Sequence, residues 1–233
     1  MAGLKVIKRD ICPLDPNLKH IIVAEVPYSA EIFATTRRKL PGLEKLNYTI
    51  HYAPKADFYW QEMSADSSTL PQNNEAQTSI HSKPDLARYA HTTEEAILFR
   101  LLLKGIEHPS VFDFGMGEGL WLMMMQAWGM QAHGHDVSAY SKTVSERHGI
   151  TFRPLEEYPD GSFDVINAQE VFEHLSDPVS AAQLAAQKLK SGGIFKISTP
   201  GGKKIKSRLL KLRRGGYKTA GNFEKELGAL EPM

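Results

Sequence analysis

The sequence contains a single cysteine, Cys12, in 233 residues, and this excludes an intrachain disulfide and a cysteine-rich zinc site. It also lacks any apolar run near the roughly 18 residues that a membrane span needs. The first ten residues carry charges where a secretory signal would need an apolar core. From these absences we expect a cytoplasmic protein with no membrane span.

A large net charge is missing too, since the formal net charge is +1 and the charged fraction is 24%. The distribution is uneven, because residues 201–218 hold eight lysines or arginines and no acid, against 20 basic and 27 acidic residues elsewhere. Within this stretch Ile205, Leu209 and Leu212 have helical spacing, which predicts a basic amphipathic helix. We favour a helix with its apolar stripe on the core over one that binds nucleic acid or an anionic membrane.

Composition changes along the chain predict four regions. Residues 1–60 have β-branched and aromatic segments and predict a small β-rich N-terminal subdomain. Residues 61–90 are mostly polar and predict a linker. Residues 91–200 predict a regular core, and residues 201–233 form a basic C-terminal segment that is too short for the strands expected there.

The predicted core alternates strands and helices. Thr92 and Glu95 form a capping box that predicts a helix start, ahead of an apolar run at residues 97–102. Ser138 and Asp177 are predicted to cap two later helices. Five strands are predicted: Ser110 to Phe114, Gln131 to Asp136, Ile150 to Phe152, Phe163 to Ala168 and Ile194 to Ser198. This alternation predicts an α/β fold, with a Rossmann-like, doubly wound, mostly parallel sheet beside the small β-rich N-terminal subdomain.

Three glycines at the end of the first strand are the strongest functional signal. In the run Asp113 to Gly119, Gly115, Gly117 and Gly119 alternate, which lets the backbone turn tightly and approach a ligand closely. The helix that follows directs its free amides at the same crevice, where open parallel sheets bind ligands. About twenty residues on, the second strand ends at Asp136, whose carboxylate could accept hydrogen bonds from both hydroxyls of a ribose.

Residues 110–200 resemble the class I S-adenosylmethionine-dependent methyltransferases, of the bacterial type that acts on small molecules or glycans. The acidic-x-Gly-x-Gly-x-Gly pattern is Asp113 to Gly119, and the ribose-binding acid is Asp136. The fourth-strand motif corresponds to Phe163 to Ile166 with Phe172 to Leu175. The Gly-Gly entry to strand five corresponds to Lys190 to Phe195.

The resemblance implies S-adenosyl-L-methionine as cofactor and methyl transfer to a small-molecule or glycan-type acceptor as activity. It implies that Asp113 and the glycine loop hold the methionine part of the cofactor, and that Asp136 holds the ribose. Leu155 would lie by the adenine, and Gln169 would approach the methionine side.

The segment after strand four offers a candidate base and an alternative. If Glu170, Glu173 and His174 were helical, they would converge on one face, as in related methyltransferases where this spacing is associated with a metal. We favour an acid–histidine arrangement without metal, in which His174 is the candidate catalytic base.

Two other functions compete with an active methyltransferase. The short C-terminal segment motivates a catalytically degenerate domain that binds the cofactor or a partner, and it would leave strand five as an exposed edge through which a homo-oligomer could form. A nicotinamide-dependent oxidoreductase is the other, although the Gly-x-Gly-x-Gly spacing and the lack of a Tyr-x-x-x-Lys pair count against it. Nucleic acid is a disfavoured partner.

Overall fold

The computed structural model describes residues 6–27, 47–65, 86–202 and Ser207. The chain forms two compact units, Met1–Leu70 with Pro200–Met233, and Pro71–Thr199. The predicted basic helix at residues 203–214 lies outside the described residues except for Ser207, and so does most of the predicted polar linker. The division into four regions therefore stays a prediction.

The second unit contains a five-stranded sheet in which every neighbouring pair is parallel. Its strands are β6 (Ser110–Phe114), β7 (Gln131–His135), β8 (Thr151–Phe152), β9 (Phe163–Gln169) and β10 (Leu189–Ser198). Their order is β10-β9-β6-β7-β8, so β10 is one edge of the sheet. The predicted Rossmann-like fold is confirmed. The chain runs from β6 to β7 and β8 on one side and then returns to β9 on the other side of β6, and this reversal of strand order places the crevice of such sheets at the carboxyl end of β6.

Apolar side chains cover both faces of the central strands. Residues 163–168 of β9 are all buried, as expected for a parallel strand packed on two sides. On one face Val111 and Val165 pack with Phe99, Leu122 and Met125. On the other face the buried cluster contains Phe112, Leu155, Tyr158, Phe163, Ile166 and Ala185. The two clusters hold the sheet rigid beneath its carboxyl-terminal edge.

Four α-helices are described in this unit: α1 (Leu86–Leu102), α2 (Leu120–Ala127), α3 (Ala139–His148) and α4 (Pro178–Lys188). The hydroxyl of Ser138 accepts a hydrogen bond from the amide of Tyr140, and the carboxylate of Asp177 accepts one from the amide of Ser180. Both predicted caps are therefore present.

The predicted start of the first helix is wrong. Helix α1 begins at Leu86, six residues before Thr92, whose hydroxyl donates to the carbonyl of Arg88 one turn earlier. Thr92 is thus an interior residue that bonds back to the helix. Among the described side chains of α1, those of Thr92, Ala96 and Phe99 are buried, whereas the apolar run of Ile97, Leu98, Leu101 and Leu102 is exposed. Small and aromatic residues at helical spacing face the sheet in place of the aliphatic run.

The first unit contains antiparallel strands. Strands β2 (Ile21–Pro27), β3 (Asn47–Ala53) and β4 (Phe58–Gln61) form a three-stranded sheet, and β1 (Val6–Lys8) pairs with β5 (Met63–Ala65). Its small core contains Cys12, Ala53 and Trp60, and the Cys12 thiol is free and buried. The small β-rich N-terminal region is thus present.

Within the described ranges, no helix combines the length and the apolar character required to cross a membrane.

Candidate functional site

The glycine loop connects β6 to α2 and has a left-handed backbone at each glycine, with φ of 83° at Gly115, 50° at Gly117 and 68° at Gly119. A Cβ at Gly115 would lie 2.5 Å from a methyl carbon of Val171, whereas a Cβ at Gly117 would meet no atom within 4 Å. Gly115 is therefore required by close packing. Gly117 instead leaves open space at the apex of the loop, where the backbone can approach a ligand.

Strand β7 holds the loop in place through one carbonyl group. The amides of Gly115 and Met116 both donate to the carbonyl oxygen of His135, at 2.9 and 3.1 Å. Met116 itself is buried. The loop is thus fixed at its base by backbone hydrogen bonds and at its side by packing, which keeps the apex at Gly117 in a defined position.

Asp136 follows β7 directly and lies against the glycine loop. One carboxylate oxygen accepts a hydrogen bond from the amide of Gly117 at 2.9 Å, and the other accepts one from the amide of Ser138 at 2.8 Å. Each oxygen keeps a further lone pair, because a carboxylate offers about four acceptor sites. A half-buried acid beside the open apex of the loop can therefore still bind two hydroxyl groups of a ligand.

Asp113 lies on β6 with its side chain buried. Its carboxylate accepts a hydrogen bond of 2.7 Å from the side-chain amide of Asn167 on β9. Burial raises the pKa of Asp113 to about 7, against the lowering effects of the Asn167 hydrogen bond and the positive charge of Lys196. The negative charges of Asp136 and Glu95 raise it further. A cationic ligand group at this position would favour the ionised form.

Leu155 has its side chain in the core. It begins a short 3₁₀ helix, Leu155–Glu157, and is only 2% exposed, packed in the cluster with Phe112 and Ile166. The side chain is therefore unavailable to line an adenine pocket, and only the backbone of Leu155 could do so. That the backbone of Leu155 lies by the adenine stays a prediction.

The ends of β9 and β10 meet beside the loop. Gln169 is the exposed last residue of β9 and pairs in register with Ser198. The amide of Glu170 donates to the Ser198 carbonyl, and the Ser198 hydroxyl donates to the Glu170 carboxylate at 3.2 Å. Glu170 has φ of 54°, an uncommon left-handed conformation for a residue other than glycine. Backbone strain of this kind often accompanies a functional site.

The helical arrangement considered for the acids and His174 is wrong. The 3₁₀ helix covers only Phe172–His174, and Glu170 lies before it in the left-handed conformation. Across the described residues, no three histidine, cysteine or acidic side chains come together as metal ligands. Burial raises the pKa of Glu173 to about 7, and the charge of Glu170 and a hydrogen bond with it act in the same direction. His174 is exposed at the end of this segment.

Sequence reasoning missed three polar residues beneath the loop: Asn167, Lys196 and Glu95. Asn167 and Lys196 each interrupt an apolar strand, which was the available signal. Lys196 pairs in register with Asn167, and Asn167 pairs with Asp113, so Lys196, Asn167 and Asp113 form a row across three strands. The ammonium of Lys196 lies 2.6 Å from the carboxylate of Glu95 on α1.

Fold and site together define a Rossmann-like protein with a glycine loop and an adjacent carboxylate at the carboxyl end of its first two parallel strands. The chain matches the sequence family described as a methyltransferase domain over residues 85–220, more than half of its length. The chain therefore belongs to this family. The resemblance to the class I S-adenosylmethionine-dependent methyltransferases is confirmed, and S-adenosylmethionine is the cofactor of that class.

Curated relatives also match part of the chain. The ubiquinone biosynthesis O-methyltransferase of Nitrosomonas europaea is 30% identical over 109 residues, covering 42% of this chain and 46% of the relative. That of Idiomarina loihiensis is 32% identical over 117 residues, covering 46% and 48%. The chain thus spans about half the length of the curated relatives it matches.

A solved structure of an S-adenosylmethionine-dependent methyltransferase from Archaeoglobus fulgidus aligns with a TM-score of 0.42 and 18% identity. The alignment covers 52% of this chain and 59% of that chain.

The residues present fit this cofactor. The space at Gly117 admits a ligand against the backbone, and the free lone pairs of Asp136 suit the two hydroxyls of a ribose. Dinucleotide-binding sheets also place a carboxylate that binds a ribose beside a glycine loop.

Proposed function

We propose that this chain transfers the methyl group of S-adenosylmethionine to an oxygen of a small-molecule acceptor. The observation that carries the proposal is the Asp136 carboxylate, which contacts the Gly117 amide beside open space at the loop apex. A ribose bound there would be oriented by the acid and would lie against the loop backbone.

Each predicted site residue has a role in this proposal. Asp136 binds the ribose hydroxyls, and the loop glycines allow the backbone to contact the cofactor. Asp113 pairs with the ammonium of the methionine part, and Gln169 lies on that side at the end of β9. Leu155 contributes only backbone groups by the adenine.

S-adenosylmethionine supplies an electrophilic methyl group on a sulfonium. The residues of this chain hold the cofactor and the acceptor in line, and correct positioning can supply a large part of the rate. An acceptor hydroxyl must also lose its proton. His174 is the candidate base, since it is exposed beside the carboxyl end of β9.

The acceptor is proposed to be a hydroxyl-bearing small molecule, because relatives are named O-methyltransferases. A glycan-type acceptor satisfies the same chemistry and stays the alternative. The proposed location is the cytoplasm, as the single cysteine suggests. A homo-oligomer formed through β10, an edge of the described sheet, also stays a proposal.

The first test is calorimetric titration of the full chain and of Asp136→Asn with S-adenosylmethionine and S-adenosylhomocysteine. The amide keeps the shape of the side chain but loses one acceptor oxygen and the negative charge. We expect the affinity for both ligands to fall by at least about tenfold, because one hydrogen bond to a charged group, worth roughly 1.5 kcal/mol, is lost and the other is weakened by the loss of charge. Glu146→Gln, an exposed acid on α3, is the matched control and should bind normally.

A methyl-transfer assay with a panel of dihydroxybenzoates and simple glycosides then separates an enzyme from a degenerate binding domain. Methylation of any of these compounds supports the proposal that the chain is an enzyme. Whether a dihydroxybenzoate or a glycoside is methylated decides between the two acceptor classes. Binding of both cofactor forms without transfer to any acceptor would favour the degenerate domain. Equal affinity of wild type and Asp136→Asn would refute the ribose assignment.

A further inference from the structure

A row of polar side chains crosses the sheet directly below the glycine loop. Lys196 on β10 is in register with Asn167 on β9, and Asn167 is in register with Asp113 on β6. Residues in register on neighbouring parallel strands project from the same face, with strands about 4.8 Å apart. The row therefore brings a cation, an amide and an acid together on one side of the sheet.

The cation of this row is half-buried and is itself paired with an acid. The ammonium nitrogen of Lys196 is shielded from solvent and lies 2.6 Å from one oxygen of Glu95, whose side chain is 12% exposed. The other oxygen of Glu95 accepts a hydrogen bond of 3.0 Å from the indole nitrogen of Trp121 on α2. His91, one turn earlier on α1, also contacts Glu95, at 3.2 Å. Helices α1 and α2 thus fix Glu95, and Glu95 fixes Lys196.

A purely structural role does not account for this arrangement. A lysine in the middle of an apolar strand is costly to bury, and a well-packed apolar pair at the same positions is often as stable. The charged groups that act on Asp113 are Lys196, Asp136 and Glu95, while Asn167 donates to it directly. Of the three, Lys196 is the one that favours the ionised carboxylate.

We propose that Lys196 is a positioning residue for the cofactor: through the row with Asn167, and balanced by Glu95, it favours the ionised form of Asp113, which receives the ammonium group of S-adenosylmethionine. The proposal rests on the proposed function for the identity of the ligand. Its electrostatic part concerns this chain alone. Lys196 favours the anion and Glu95 opposes it, so the two partners of one ion pair have opposite effects on Asp113.

The test follows the titration of Asp113 by NMR of ¹³C-labelled aspartate carboxyls in the full, ligand-free chain, with Asp113→Asn assigning the signal. Lys196→Met should raise the midpoint by about one pH unit, because an attractive charge nearby is removed. Glu95→Gln should lower the midpoint, since a repulsive charge is removed while the amide oxygen can still accept from Trp121.

Two further variants separate electrostatics from folding. Lys190→Met removes another lysine of β10, one that lies 2.7 Å from the buried carboxylate of Asp164, and it should leave the Asp113 midpoint unchanged. Lys196→Met with Glu95→Gln removes both charges and avoids an unpaired buried acid. Its midpoint should rise by less than that of Lys196→Met alone.

Calorimetry with S-adenosylhomocysteine links the midpoint to binding. With the Asp113 midpoint raised by one pH unit from about 7, the ionised fraction and hence the affinity at pH 7 should fall by about fivefold for Lys196→Met and recover at pH 9. For Glu95→Gln the affinity should persist to lower pH.

Midpoints that move in the same direction in Lys196→Met and Glu95→Gln, or that do not move, would overturn the proposal. If the Asp113 midpoints shift in opposite directions but the affinity for S-adenosylhomocysteine does not change with them, the assignment of Asp113 to the ammonium group is wrong. Absence of any binding by wild type, with the opposite shifts present, would contradict the proposed function and leave the pairing of Lys196 with Asp113 standing.

Discussion

The candidate site has two halves that differ in the groups that form them: a backbone half at the ends of β6 and β7, and a side-chain half at the ends of β9 and β10. At the ends of β6 and β7, backbone groups dominate: three left-handed glycines, and two amides bound to one carbonyl. At the ends of β9 and β10, side chains dominate, with the acids Glu170 and Glu173 in contact and a strained backbone at Glu170. The backbone half suits a ligand such as the cofactor, because backbone geometry depends little on the identity of the side chains. The second half suits a chemistry that depends on protons.

The largest expected effect is that of replacing His174. If this replacement left the methyl-transfer rate unchanged, the assignment of proton chemistry to the side-chain half would be wrong. With a dihydroxybenzoate acceptor, His174→Asn should reduce the methyl-transfer rate by about 10²- to 10⁴-fold at neutral pH, the usual contribution of a general base. The cofactor affinity of this variant, measured by calorimetry, should stay within about twofold of wild type, since His174 lies in the side-chain half and not in the half proposed to bind the cofactor. The lost rate should return in part at high pH, where the acceptor ionises by itself. An unchanged rate at pH 7 would remove His174 from the mechanism.

Gly115 and Gly117 sharpen the comparison within the backbone half. Gly115→Ala places a methyl group 2.5 Å from Val171 in a left-handed conformation, so unfolding free energy should fall by about 2–4 kcal/mol. Gly117→Ala meets no atom and should lower it by about 1 kcal/mol, the cost of the left-handed backbone.

The effects of the two variants on binding should be reversed. Gly117→Ala fills the space proposed for the cofactor and should weaken S-adenosylhomocysteine binding by at least about tenfold, the value of 1.4 kcal/mol. Gly115→Ala should lose less affinity than Gly117→Ala at temperatures where it is folded, because its added methyl group meets Val171 and not the open space at the loop apex. Denaturant unfolding and calorimetry on both variants make the comparison, and normal binding by Gly117→Ala would place the cofactor elsewhere.

Glu173 gives the smallest expected effect. Because burial raises its pKa from 4.5 to about 7, the folded chain holds a proton between these values that the unfolded chain has lost. The contribution of this group to stability is therefore complete below about pH 4.5 and is lost as pH rises to about 7. Glu173→Gln should remove that part of the pH dependence and raise the melting temperature at pH 8 by about 2 °C, as for a fraction of a kcal/mol in a chain of this size. Thermal unfolding at pH 5 and pH 8 measures the effect, with Glu146→Gln as control. An equal pH dependence in Glu173→Gln and wild type would show that Glu173 does not titrate in this range.

The sequence predicted the backbone half better than the side-chain half. Strand periodicity, the glycine spacing and the caps at Ser138 and Asp177 are local signals, and each appears in the structure. The start of α1 was wrong because a capping box and an interior Thr–Glu pair have the same spacing. The apolar run at residues 97–102 does not reveal which face of α1 is buried, because exposed aliphatic residues on a helix give the same pattern as buried ones.

Non-local contacts account for what the sequence did not predict. The ion pair of Lys196 with Glu95 joins residues about a hundred positions apart, and nothing local to either residue indicates it. The same holds for the hydrogen bond between Asn167 and Asp113. Leu155 shows the converse, since its position after β8 was predicted but the direction of its side chain depends on the core of α4 and β9.

A crystal structure of the full chain with S-adenosylhomocysteine tests the central claim most directly. The account predicts both ribose hydroxyls within about 2.5–3.0 Å of the Asp136 carboxylate oxygens, with the nucleoside over Gly117. A ligand bound elsewhere, with Asp136 contacting only the amides of Gly117 and Ser138, would contradict it.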